Sequence, residues 1–407
     1  MKILMLSSTF PYPPTRGGTQ VRTFNLLKYL SGRHAITLIT QRSEDITDVQ
    51  VEELREYVEE LVVFPQPQAT EGQGGIIGKM QRFSTFLQQG TPTNVLNQYS
   101  TQMQEWVDEA VLAGMFEVIT CEHSVNEIYV RQEWRQLLRT VVNIHSSIYA
   151  TTRNLLETRR SENHLKTQLN LPLLRLYEER YCAKFTSIVV TTPEDRRQIA
   201  AFELEGQIAV IPNGVDLTLY SKRVSDPGGH DLLFVGTMDD RTNIDAVQFF
   251  SLEVFPEIWQ RYPDATLTVV GTNPVPEVLE LGERPGISVT GRVPSVVEYL
   301  HKATVCVVPL RTGYGIKNKT LEAMATGTPV VGSDRGLEGL AVDGADVPLR
   351  ALRANDPVEY VYAVTRLFED RQLRKQISEN ARSLIEKKYT WERVGDLYEK
   401  ALLGRVN

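Results

Sequence analysis

The stretch Gly313-Tyr-Gly-Ile-Lys-Asn-Lys-Thr-Leu-Glu-Ala-Met-Ala-Thr-Gly-Thr-Pro-Val-Val-Gly332 decides how the rest of the chain is read. Its first half is a glycine-bearing loop that carries two lysines, Lys317 and Lys319, straight into a helical run. Gly327 predicts the end of that helix, because glycine accepts the left-handed conformation of a helix C-terminus. Pro329-Val330-Val331 then reads as a buried strand. Loop amides, two ammonium groups and a helix N-terminus converge where an anion is favoured. Glu322 lies on the first turns of the same helix, where its carboxylate reaches the same crevice. A diphosphate on the loop and a ribose diol on the carboxylate account for both features. The expectation is an enzyme that handles a nucleotide sugar.

Working outward, short apolar runs alternate with longer amphipathic ones. Ile3–Leu6, Ile36–Ile39, Val118-Ile119, Val141–Ile144 and Ile188–Val190 read as strands buried on both faces. Helical patterns lie between them, from Val21 to Leu30 closed by Gly32, and from about Thr151 to Ala183. The pattern restarts after Ile208–Ile211 and the turn cluster Pro212-Asn-Gly-Val-Asp216. Asp231–Gly236, Ala265–Val270, Val305–Val308 and Pro329–Val331 read as the strands of a second series. Ser295 with Glu298 has the spacing of a capping box. Val358 to about Glu386 reads as one long helical stretch, and Trp391, Val394, Leu397, Tyr398 and Leu402 share one face of a terminal helix. This order is α/β, with two parallel sheets each wrapped by helices.

A chain of 407 residues exceeds one ordinary core. A net charge of −7 argues against a general nucleic-acid binder. Cys121, Cys182 and Cys306 stand far apart in apolar segments and read as buried reduced thiols rather than metal ligands. Apolar runs are too short to span a bilayer, and Met1–Ser7 reads as a strand rather than a leader, so the expected location is cytoplasmic. The lightly basic, apolar stretch Gly74–Gly90, with Arg131, Arg135, Arg139, Arg159, Arg160 and Lys166, suits peripheral contact with the inner membrane face. Ordinary packing and a solvated face explain the same residues.

The loop Ser7-Ser-Thr-Phe-Pro-Tyr-Pro-Pro-Thr-Arg-Gly-Gly18 leaves the first strand and opens onto a helix. Its place at the carboxyl end of a strand is where α/β sheets take ligands. It lacks the dinucleotide glycine fingerprint, which argues against an NAD-dependent enzyme. Gly313 to Thr320 falls one residue short of a P-loop and comes too late in its domain to be one.

Gly17-Gly18, His145, Pro212–Asp216, Phe234-Val-Gly236, Gly291-Arg-Val293 and Gly315–Val330 together resemble the family-four retaining glycosyltransferases, in order and along nearly the whole chain. The resemblance implies a GT-B fold, two Rossmann-like domains facing across a cleft. It implies an N-terminal acceptor domain, residues 1–213, a donor domain, residues 214–389, and a C-terminal helix, residues 390–407, packing back on the first. It implies that Gly17 and Gly18 approach the donor diphosphate, that Glu322 takes the ribose hydroxyls, that Arg292 frames the base and that His145 meets the donor sugar. His123 occupies a second place where the family often has histidine.

Two departures stand out. The first glutamate of the family's pair is replaced by Tyr314. The family's Gly-Arg followed by Lys is replaced by Gly236-Thr-Met-Asp-Asp-Arg-Thr-Asn243, which leaves Arg241, Lys317 and Lys319 as the cations available to the diphosphate. A subgroup with a Gly-Ile-Lys-Asn-Lys loop shares this arrangement. No Asp-x-Asp triplet sits where a metal-dependent transferase needs one, and Asp239-Asp240 reads as a turn, so no cofactor is expected. The implied reaction moves a sugar from a UDP- or GDP-linked donor to a hydroxyl acceptor, either a glycan, a lipid-linked carrier or a small molecule. An epimerase of the same architecture, and a partner that binds nucleotide sugar without turnover, are the alternatives.

Overall fold

The first apolar run forms a strand, β1 (Lys2–Ser7), in the middle of a parallel sheet in the computed structural model of the chain, which describes residues 1–14, 17–67, 86, 88, 90–158 and 164–405. The chain divides into two compact units, Met1–Pro212 with Val394–Asn407, and Asn213–Arg393. The expected stretch Gly74–Gly90, apart from Phe86, Gln88 and Gly90, lies outside the described residues, as do Arg159 and Arg160.

The first unit holds β1, β2 (Ala35–Arg42), β3 (Glu60–Pro65), β4 (Val118–Glu122), β5 (Arg139–Ile144), β6 (Ser187–Val190) and β7 (Gln207–Val210) in the order β3-β2-β1-β4-β5-β6-β7. Every pairing in it is parallel. The middle strands are almost wholly buried because helices cover both faces, which is why they read as apolar rather than alternating, although Thr120, Glu122, Thr140 and Asn143 are buried in them. β3 escapes that reading: it is an edge strand, only Leu61 in it is fully buried, and proline closes it.

The second unit holds β8 (Asp231–Val235), β9 (Thr266–Val270), β10 (Ile287–Gly291), β11 (Val305–Val308), β12 (Val330–Gly332) and β13 (Leu352–Arg353) in the order β10-β9-β8-β11-β12-β13, again all parallel. In both sheets the strand order reverses beside the first strand, between β1 and β4 and between β8 and β11. Ligands of open α/β sheets bind beyond the carboxyl ends of the strands at that reversal. The glycine loops follow β1 and β11, so both begin at a reversal.

Several helices differ from the sequence reading. The run from Thr151 to Ala183 is two helices, Ile148–Glu157 and His164–Cys182. The first starts early because Ser147 caps it, accepting from the Ala150 amide at 2.9 Å. The run after Val358 is also two helices, Pro357–Glu369 and Arg371–Lys388. Asp370 separates them with an extended backbone and caps the second through the Leu373 amide. The Ser295–Glu298 capping box does not form; Ser295 precedes the helix but makes no side-chain cap bond. The three cysteines are buried and unbonded to one another. Among the described residues no helix is long and apolar enough to cross a membrane.

Candidate functional site

In the second unit the lysine loop is shaped by glycine. Gly313 and Gly315 adopt φ of 87° and 83°, a region that side chains with a Cβ rarely enter. The loop delivers Lys317 to the N-cap of the helix Asn318–Thr326. No side chain caps that end, so its first amides are left for a ligand or solvent. Gly327 ends the helix at φ 77°. The Lys317 ammonium donates to the Tyr314 carbonyl at 2.8 Å and folds back over its own loop.

Lys319 reaches toward the turn after β8. Its Nζ donates to Asn243 Oδ1 at 2.5 Å and lies 4.6 Å from the centroid of the Phe234 ring. Gly236 makes that approach possible: a Cβ there would come within 2.9 Å of Lys319 Nζ and 2.8 Å of Asn243 Cγ. Burial lowers the Lys319 pKa to about 8, against the pull of Asp240 and Glu322. A half-buried ammonium that holds its proton this weakly gains from any anion placed beside it.

Glu322 sits one turn further along the same helix, half-buried. Burial pushes its carboxyl up, while a hydrogen bond from the Tyr220 hydroxyl and the charge of Lys319 pull it back. Tyr220 comes from the segment after the Pro212–Asp216 turn and gave no motif in the sequence. Tyr314, in the place of the missing glutamate, lies under the Arg335 guanidinium at 4.1 Å from ring centroid to Cζ. Arg335 also bonds the Tyr314 hydroxyl at 3.2 Å and Glu338 at 3.0 Å. An acidic group is thus still reached from that position, through an arginine.

Arg241 and Arg292 are both exposed. Arg241 opens the helix Arg241–Phe249 next to Asp240, whose carboxylate caps the helix by accepting from the Thr242 and Asn243 amides. Asp239-Asp240 is accordingly the turn into this helix. Arg292 follows Gly291 at the end of β10, the edge strand, two strand positions from β8. Lys317, Lys319 and Glu322 are brought together at one helix end; Arg292 stands apart from them in the sheet.

In the first unit Gly17 opens the helix Gly18–Ser31, accepting from the Val21 amide at 3.0 Å, and no acidic residue occupies the first turn. His123 and His145 end the neighbouring strands β4 and β5. His123 takes φ 85°, a strained position for a residue with a side chain, and its Nδ1 accepts from the Val125 amide at 3.4 Å. Burial lowers the His123 pKa to about 4. Burial, with help from His123 and Arg22, holds His145 well below the usual range. Both rings are therefore neutral at ordinary pH.

Beneath them runs a buried polar chain that the sequence reading missed. Arg22 donates from Nε to Asn143 Oδ1 at 3.1 Å and from its terminal nitrogens to the Pro212 and Ile211 carbonyls at 2.8 and 3.0 Å. Asn143 Nδ2 donates to Glu122 at 2.9 Å, and Glu122 also accepts from Thr120 at 3.1 Å and from the Tyr398 hydroxyl. Among the described residues no group of three or more His, Cys, Asp or Glu side chains is placed to hold a metal ion.

Residues 16–219, half of the chain, match the family model described as Glycosyltransferase Family 4. The chain belongs to Glycosyltransferase Family 4. A second model, described as Glycosyl transferases group 1, matches residues 229–370 of this family 4 chain. Among solved structures it is similar to a sucrose-phosphate synthase from Thermosynechococcus elongatus, with a TM-score of 0.70 and 17% identity over 99% of both chains. It is also similar to HepE of Anabaena in complex with UDP, with a TM-score of 0.65 and 14% identity over 99% of this chain and 100% of that one. At such identities the likeness establishes the fold, which is GT-B. Two uncharacterized glycosyltransferases of Methanocaldococcus jannaschii are similar in sequence. One is 28% identical over 125 residues, covering 30% of this chain and 31% of the relative. The other is 30% identical over 172 residues, covering 40% and 42%. The chain thus spans less than half the length of the curated relatives it matches.

Proposed function

We propose that this family 4 chain is a retaining glycosyltransferase that moves a sugar from a UDP- or GDP-linked donor to a hydroxyl acceptor in polysaccharide or glycoconjugate synthesis. The observation that carries the reading is the helix end at Asn318, where Lys317, Lys319, open backbone amides and Glu322 occur together. Diphosphate and ribose are the two parts of a nucleotide that need a cationic cradle and a carboxylate. The HepE structure solved with UDP supports the choice of a nucleoside diphosphate.

In this reading residues 214–389 hold the donor, and residues 1–213 with the C-terminal segment 390–407 take the acceptor. Glu322 accepts from the ribose hydroxyls, with Tyr220 fixing the carboxylate. Arg292 and its loop frame the base. Lys317, Lys319 and Arg241 stabilise the charge that grows on the diphosphate as the bond from the anomeric carbon to the phosphate oxygen breaks. Such preorganised donors are commonly the largest catalytic contribution. The electron pair leaves with the phosphate oxygen, and the acceptor oxygen bonds the anomeric carbon on the same face. The acceptor proton passes to that departing oxygen. His145, neutral and with its buried Nε2 unbonded among the described residues, suits a hydrogen bond to a donor-sugar hydroxyl rather than an ionic contact.

The test is product analysis with a panel of UDP- and GDP-sugars. A new glycoside plus free nucleotide supports transfer. A changed sugar still attached to nucleotide indicates epimerisation instead, and saturable binding without any product indicates a non-catalytic partner.

A further inference from the structure

Asn243 belongs to none of the motifs that carry the reading above, yet it is the hydrogen-bond acceptor at Lys319. The lysine is surrounded by identifiable groups. Asn243 and Asp240 face it from the start of the helix Arg241–Phe249, the Phe234 ring from β8, Cys306 from β11, and Lys317 and Glu322 from its own loop and helix. Asn243 is itself held in orientation. Its Nδ2 donates to the Thr237 carbonyl at 2.9 Å and its backbone amide to Asp240 Oδ1 at 3.2 Å. An amide side chain has one donating and one accepting end, so the bond to Thr237 leaves the oxygen turned to Lys319. The absence of a side chain at Gly236 opens the backbone immediately beside both groups.

We propose that Asn243 is a positioning residue for sugar transfer: its amide, oriented by the Thr237 carbonyl, aims the Lys319 ammonium at the donor diphosphate beside Gly236. The inference rests on the nucleotide-sugar reading of the site. An ammonium has three protons, and Asn243 takes one, leaving two for phosphate oxygens. A neutral carbonyl favours the charged lysine without cancelling its charge. A carboxylate in that place would keep the lysine protonated but compete with the diphosphate for it. This is the physical reason for asparagine here, and it separates the effects of two substitutions.

The experiment is calorimetric titration of the full chain with UDP and with GDP from about pH 6 to about pH 10, for wild type, Asn243→Leu and Asn243→Asp, alongside thermal melts. Wild-type affinity is expected to fall as Lys319 loses its proton. Asn243→Leu is expected to bind about tenfold more weakly at neutral pH, with the fall beginning at lower pH. Asn243→Asp is also expected to bind more weakly, but with the fall displaced to higher pH. If the leucine variant does not fold, the aspartate variant, which keeps an acceptor oxygen, carries the test. A residue that merely supports the turn would lower the melting temperature and leave the pH at which affinity falls unmoved. That result, or a wild-type affinity flat across the range, overturns the role of Asn243 alone. Wild-type protein that binds neither UDP nor GDP overturns the nucleotide reading and this inference with it.

Discussion

The imidazoles of His123 and His145 meet edge to face, with ring centroids 4.9 Å apart, where neighbouring strands β4 and β5 end. The pair is packed too deeply to carry charge, and Arg22 adds to the penalty on a protonated His145. His145 then acts through a neutral hydrogen bond. His145→Ala is expected to lower kcat by about tenfold to a hundredfold while UDP or GDP affinity changes little. Steady-state kinetics with calorimetric binding separates the two, and wild-type turnover in the variant removes His145 from the reaction.

Acid stability depends on the same pair. Native His123 stays neutral down to about pH 4, whereas an ordinary histidine titrates at 6.5. Between those values the unfolded chain holds the extra proton, so stability drops as pH falls through that window. Melting curves are expected to show a steeper acid loss for wild type than for His123→Asn, a residue that tolerates the positive φ. Equal slopes would mean that the buried ring does not govern this limb.

Glu322→Gln keeps the shape of the helix end and removes the charge that strengthens a bond to a ribose hydroxyl. Charge-assisted hydrogen bonds contribute about 1.5–3 kcal/mol each, so UDP or GDP affinity is expected to fall about tenfold or more. Unchanged affinity by calorimetry would assign the ribose to another group.

Lys319→Met bears on both stability and binding. The native lysine releases its proton near pH 8, while the unfolded side chain holds it to 10.5. In that interval the unfolded state binds more protons, so wild-type stability is expected to rise with pH there. The methionine variant lacks that contribution to the rise and is expected to lose at least about tenfold in nucleotide affinity. Denaturant titrations at several pH values check the first effect and calorimetry the second.

Tyr398→Phe removes the hydroxyl that bonds Glu122 and Thr120, both fully buried. Leaving those partners short of a hydrogen bond is expected to cost about 1–3 kcal/mol of stability. Equilibrium unfolding in urea measures it. A loss of a few tenths of that size would show that water or a shift of Thr120 replaces the bond.

Local physics made most of the framework readable. Runs such as Ile188–Val190 and Val305–Val308 are apolar throughout because parallel strands covered on both faces need no polar side. Gly327 ends its helix as its residue type predicts. The start at Ile148 and the break at Asp370 were not legible, since only the cap bonds of Ser147 and Asp370 fix where those helices start. β3 was missed because an edge strand lacks the unbroken apolar pattern.

The candidate site divides in the same way. Lys317, Lys319 and Glu322 lie within six residues of chain, and their placement on one helix end follows from the helical repeat alone. By itself the sequence determined the alternation of buried strands and helices in two successive series, the glycine-shaped lysine loop and that shared helix end. Only the tertiary structure decided that Asn243 meets Lys319 across 76 positions of sequence, that Tyr220 reaches Glu322, and that Arg22 is tied to the Pro212 carbonyl 190 positions away. Those partners are set by which strands lie side by side and by how deeply each charge is buried. Neither quantity is a property of neighbouring residues in the chain.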